Sequence, residues 1–304
     1  MTAPGGVPVG ARGRRRRRAP GWSFVLPFVV LLVAFGIAPV LYALWTSFQV
    51  TPVIGPSTFS LTENYSAALG DYRFATAARN VLVYLVIWLP ALLLVVFSVA
   101  LVMDARRTRF AGLTRFVSYV PGAVVGSAAA LLWLFMFTPA VSPFRLLVAP
   151  FADGEGSVIS DGTLPVILAV MGVAAGAGGW IVILYGALTA IPAELLEAAR
   201  LDGASGWQLA RHIKLPMIRG YVALILIVSL ANGFQVFVEP QVLAAAAPGR
   251  VSQYWSVNQL VYAYATGESN YGRASALSLV LLLVCLTAAV LVVTRTRFYS
   301  RGER

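Results

Sequence analysis

Six long stretches of this 304-residue chain contain no charged side chain: 19–62, 80–103, 116–144, 162–193, 220–238 and 274–294. A helix needs about 20 apolar residues to cross the hydrocarbon of a bilayer. Each stretch reaches that length or comes within one residue of it, and in the first the apolar part is Trp22–Phe48. Only 12% of the residues are charged, where a soluble domain carries roughly 25%. The expectation is an all-α membrane protein with six transmembrane helices. An even number of crossings puts both termini on one side.

The basic residues say which side. Residues 1–20 hold six arginines, Arg14 to Arg18 consecutive. Residues 104–115, 191–219 and 295–304 hold four basic residues each, and the opposite side has only Arg73, Arg79, Arg145, Arg250 and Arg273. Eighteen against five is a positive-inside bias. It places both termini and the loop after the fourth span in the cytoplasm of a cell membrane. The formal charge of +11 is thus explained by topology, and a nucleic-acid role is set aside. The outward loops, roughly 49–78, 139–162 and 240–272, are too short for a folded domain. Three segments follow: a basic tail at 1–20, a membrane domain at 21–298 and a short tail at 299–304. The one cysteine, Cys285, lies in an apolar run and reads as an inert thiol.

The longest polar interruption in the second half is 191–216, I-P-A-E-L-L-E-A-A-R-L-D-G-A-S-G-W-Q-L-A-R-H-I-K-L-P. Pro192 suits a first helical turn, and 193–200 are strong helix formers. Asp202-Gly203 is a turn signal. Ser205 and Gln208 have the spacing of a capping box, so a second helix starts there, and Leu215-Pro216 ends it. Periodicity alone fits a solvated amphipathic loop equally well.

The order of residues in that loop says more. Glu197-Ala198-Ala199, then Gly203, then Ile213 and Leu215-Pro216 resemble the E-A-A…G…I-x-L-P motif of permease subunits in binding-protein-dependent ABC importers. Ile191-Pro192, Glu194 and Asp202-Gly203-Ala204 fit its surroundings. Pro39–Phe48, Leu61–Tyr65, Asp71, Phe74, Asn80, Tyr119–Gly122, Trp133 and Tyr271–Ala276 are similar to the first permease subunit of carbohydrate importers, over about 24–298. The resemblance implies the type I permease fold, with a coupling-helix loop between the fourth and fifth spans that docks on an ATPase subunit. It implies as partners a second homologous permease, two ATP-binding subunits and an extracytoplasmic solute-binding protein. Glu197, Ala198, Ala199, Asp202, Gly203, Ile213, Leu215 and Pro216 are the implied coupling residues, with Glu197 facing an arginine of the ATPase groove. The chain departs from the family at Ala244–Gly249, where a Thr-Gly-Gly-Pro-like turn is usual, and at Val238, where an acid is usual and Glu239 follows instead.

The chain itself lacks the parts of an engine. The only lysine, Lys214, stands in H-I-K-L-P, not in a phosphate-binding G-x-x-x-x-G-K-[ST] loop. One histidine, His212, and one cysteine cannot build a zinc site or a hydrolytic triad. No cofactor is expected in this chain; ATP and magnesium belong to the partners. The substrate path is expected on the fifth span, where Asn232, Gln235 and Glu239 are spaced to share one helix face, with Phe234 and Phe237 beside it. The alternative for these polar groups is hydrogen bonding between helices. Gly172-x-x-x-Gly176 reads as close helix packing. Permeases for polyamines, phosphate or glycerol phosphate fit the same loop. From other classes, a membrane enzyme lacks its constellation, and a secondary transporter lacks the mid-membrane acids and bases it would use.

Overall fold

The computed structural model describes residues 22–52, 55–105, 110–153 and 156–296. Both expected tails, 1–20 and 299–304, lie outside the described residues. The chain divides into two units, 1–43 and 44–304. The first, as far as it is described, is most of an apolar helix, α1 (Phe24–Ser47), whose large side chains are exposed, as lipid contact requires.

The second unit is built on α3 (Tyr72–Ala105) and α6 (Leu164–Thr189). Along α3 the buried residues are Ala77, Val81, Tyr84, Leu85, Trp88, Leu92, Val96, Ala100, Met103 and Asp104. Their spacing of three and four makes one stripe down the helix. On α6, Ile167, Leu168, Met171, Ile181, Leu184 and Leu188 meet it in a shared core. Gly172 is where the two helices close up: a Cβ there would sit 2.5 Å from the Trp88 indole nitrogen. Gly176 meets only a Leu92 methyl, at an ordinary 3.9 Å.

The third crossing is not the continuous helix expected over 116–144. It is a pair, α4 (Phe110–Tyr119) and α5 (Gly126–Phe137), bent by 101°. The cause is the sequence Val120-Pro-Gly-Ala-Val-Val-Gly126. Pro121 sits in a 3-10 turn, Val124 and Val125 are extended, and Gly126 takes φ +66, a conformation open to glycine. Among the described residues five helices are long and apolar enough to span a membrane, or six with this bent pair counted as one.

On the loop side, a two-residue hairpin pairs Gln49 with Phe59 and Val50 with Thr58. The helix after it, α2 (Glu63–Leu69), carries Asn64, whose amide donates to the carbonyls of Ser47 and Gln49, both at 2.9 Å. Just before α3, Asp71 accepts from the Arg73 guanidinium at 2.7 Å and from the Tyr264 hydroxyl at 2.8 Å. Arg73 also donates to Glu268 at 2.8 Å. These bonds tie the start of α3 to the turn before the last helix, α11 (Tyr271–Thr296).

The Arg73 hydrogen bond, outweighing burial, lowers the Asp71 carboxyl from 3.8 to about 2. A depressed acid stabilises the fold above its unfolded pKa, and that contribution is lost as pH falls through the folded one. Asp71→Asn should therefore melt below wild type at neutral pH. The gap should close as pH drops from 3.8 towards 2, and an equal gap throughout would refute it.

Candidate functional site: a capped polar loop and a cleft between helices

Two features stand apart from the packed core. One is the loop from Ile191 to Pro216. Its first helix, α7 (Ala193–Leu201), follows Pro192, whose ψ of 130° is still extended. Glu194 lies in the first turn and Arg200 in the last, each at the end its charge favours. The helix closes in a Schellman motif. Ala204 N–H donates to the Ala199 carbonyl and Gly203 N–H to the Arg200 carbonyl, both at 3.0 Å. Gly203 sits at φ +85. An added Cβ would meet nothing within 4 Å, so the glycine is required by backbone conformation and not by close approach of the two helices.

The second helix, α8 (206–217), opens in the expected capping box. Gln208 N–H donates to Ser205 Oγ at 3.3 Å, and Ser205 N–H donates to Gln208 Oε1 at 2.7 Å. It does not end at Leu215-Pro216. Residues Leu209–Lys214 form a π-helix, Pro216 lies inside Leu215–Met217, and the break comes at Ile218 (φ −95, ψ 8). A wider turn ahead of the proline tolerates its missing N–H and its ring.

The motif residues sort by burial. Ala199, Ile213 and Leu215 are half-buried against the core, with Ile191, Leu196 and Leu209 fully inside it. Glu197, Ala198, Asp202, Gly203 and Pro216 face outward. So do two large apolar side chains, Leu201 at 90% exposure and Trp207 at 67%. His212 is exposed too, within 3.2 Å of the Gln208 carbonyl. Among the described residues no three His, Cys, Asp or Glu side chains gather as a metal would need.

The other feature is a cleft of about 380 Å³ between α3, α5, α6 and the fifth crossing. That crossing is also broken. Helix α9 (Arg219–Phe234) stops, and α10 (Val238–Ala246) restarts after Phe237 at φ −145, ψ −55. Asn232, Gln235 and Glu239 therefore do not share one continuous helix face. The break still brings all three, with Phe237, to the same cleft. Phe234 turns instead to an apolar groove with Phe74 and Leu277. Gly233 lets α9 reach α3: a Cβ there would crowd a Leu85 methyl and the Trp88 ring.

Asn232 and Gln235 are exposed, Phe237 and Glu239 half-buried. Asn258 donates to the Gln235 carbonyl at 2.9 Å. Tyr84 and Trp88 on α3 form a stacked pair, centroids 5.3 Å apart, and with Trp133 on α5 they line the same cleft. Spacing within the fifth span gave no sign of these three aromatics, which come from other spans. Their sequence signal is an aromatic side chain in mid-span. The Ala244–Ala246 departure ends as the last turn of α10, with Ala244 buried and Gly249 at φ +81.

Residues 65–296 match the family described as binding-protein-dependent transport system inner membrane component. The chain belongs to that family. It is a multi-pass component of a transport system, not an enzyme. It is 28% identical to the trehalose transport system permease protein SugA of Mycobacterium tuberculosis, over 93% of this chain and 89% of that one. It is 26% identical to the arabinooligosaccharides transport system permease protein AraP of Bacillus subtilis, over 90% and 88%. In fold it matches a chain of a bacterial ABC transporter that imports alginate, with a TM-score of 0.77 at 18% identity, over 92% of this chain and 96% of that one. The fold is that of the type I importer permease.

Proposed function

We propose that this chain forms half of the translocation path of an ATP-driven importer for a sugar or sugar-like solute, and that the 191–216 loop couples it to a separate ATPase. The observation that carries this is the loop itself. It is capped at the end of one helix and the start of the next, so it is stiff. It is anchored by Ile191, Leu196 and Leu209 and presents Glu197, Leu201, Asp202 and Trp207 to the outside. Exposed large apolar groups beside charges are what a docking surface offers.

The remaining parts are a second homologous permease, two ATP-binding subunits and an extracytoplasmic solute-binding protein. The arginine bias puts both termini and the loop in the cytoplasm. For the solute, aromatic faces on Trp133 and Phe237 with the amides of Asn232 and Gln235 suit the apolar faces and hydroxyls of a sugar ring. The one charged residue lining the cleft is Glu239. A carboxylate repels phosphate, so a neutral sugar is favoured over glycerol phosphate.

The test is uptake by the complete importer in proteoliposomes. It should be blocked by vanadate and indifferent to an uncoupler; the reverse pattern would make the chain an ion-driven transporter. Asn232→Ala with Gln235→Ala should weaken solute affinity about thirtyfold, at about 1 kcal/mol for each of the two lost hydrogen bonds. Unchanged uptake kinetics would assign both amides to helix packing.

A further inference from the structure

The chain's only lysine, Lys214, is buried in the π-helical part of α8. Its Nζ donates to Oδ2 of Asp104, one residue before the end of α3. The side chains are 11% and 3% exposed. Every other basic residue is arginine, and Asp104 is the one acid between Asp71 and Asp153. A pair this buried is a poor stabiliser compared with apolar side chains of the same volume. Its distinctive property is direction. Leu209 and Ile213 hold α8 to the core by apolar contact, which is less directional than a charge pair. The ion pair is directional, because drawing Lys214 away from the end of α3 would strand two buried charges.

We propose that Asp104 and Lys214 are positioning residues: a clasp that makes α3 follow the coupling loop when the ATPase moves it. This rests on the coupling role assigned to 191–216. Helix α3 also carries Trp88 and Tyr84 into the cleft, 16 and 20 residues from Asp104. At 1.5 Å per residue that is about 24 and 30 Å away. The clasp would thus join the docking surface to the wall of the solute path through one continuous helix.

The test is the double variant Asp104→Leu with Lys214→Met, which leaves neither charge stranded, in the complete importer. Solute delivered per ATP hydrolysed is measured in complexes that contain the ATPase. That yield should fall at least about fivefold, the lower range of a coupling between sites, with ATP hydrolysis retained. Wild-type yield would show the pair to be structural only. If the double variant does not assemble, Asp104→Glu decides by the same ratio, since it keeps both charges and lengthens one arm: a reduced yield supports the clasp, and wild-type yield overturns it. The coupling reading fails separately, and visibly, if the wild-type chain captures no ATPase through the loop.

Discussion

Gly203→Asp and Glu197→Lys are each expected to abolish uptake while the protein still inserts in the membrane. Gly203 sits at φ +85, a region that costs an L-residue about 1–2 kcal/mol. Aspartate tolerates that region better than most, so strain alone would not silence it. The larger effect is charge. The new carboxylate would stand next to Asp202, at the tip beside Leu201, on the surface proposed to dock on the ATPase, where it would be desolvated. A buried charge without a partner costs about 3 kcal/mol or more, roughly a hundredfold in affinity. Glu197→Lys makes the same error by reversing a sign. The control is Gly203→Asn, which accepts the positive φ and adds no charge; it should keep most activity. Uptake and membrane content of each variant are the measurements. Wild-type uptake by Gly203→Asp or Glu197→Lys would remove the loop from the mechanism.

Gly178→Val should prevent the fold from forming properly. A Cβ at Gly178 would lie 2.7 Å from the Ser118 carbonyl carbon and 2.8 Å from Tyr119 Cα. Both are backbone, at the end of α4 where the chain bends, so no rotamer change relieves the clash. The neighbouring turn is fitted the same way: a Cβ at Gly122 would run into the Ala175 carbonyl. Overpacking of this kind costs about 1–3 kcal/mol and more when backbone must move. Gly179→Ala is the control, since its Cβ would meet nothing within 4 Å; it should be neutral or gain up to about 1 kcal/mol from helix propensity. Thermal stability in detergent separates the two. Equal melting of Gly178→Val and wild type would mean that α4 and α6 are not in contact as described.

The 191–216 loop was the most legible part. Its turn, capping box and first helix are local events, set by Asp202-Gly203 and by Ser205 with Gln208, and local hydrogen bonds need no distant partner. The end of its second helix was misplaced, because the rule that proline stops a helix assumes ordinary α geometry. The π-helical turn ahead of Pro216 relaxes that assumption. The cleft was legible in part. Asn232, Gln235, Phe237 and Glu239 reach one cavity, but through a break at 235–237 that the uncharged run does not reveal.

What the sequence determined by itself was the medium and the periodic faces. Uncharged runs of about 20 residues have no comfortable place but a bilayer, and the three-four spacing along α3 fixes its buried stripe wherever the helix lies. Only the tertiary structure decided where two crossings break, and which distant side chains meet: Tyr84, Trp88 and Trp133 at the cleft, Asp104 with Lys214 beneath the loop. The physical reason is range. Hydropathy and capping are properties of a residue and its near neighbours. A bend of 101° at 120–126 and an ion pair across 110 residues depend on how whole helices seat against one another, and that is fixed by contacts far apart in the chain.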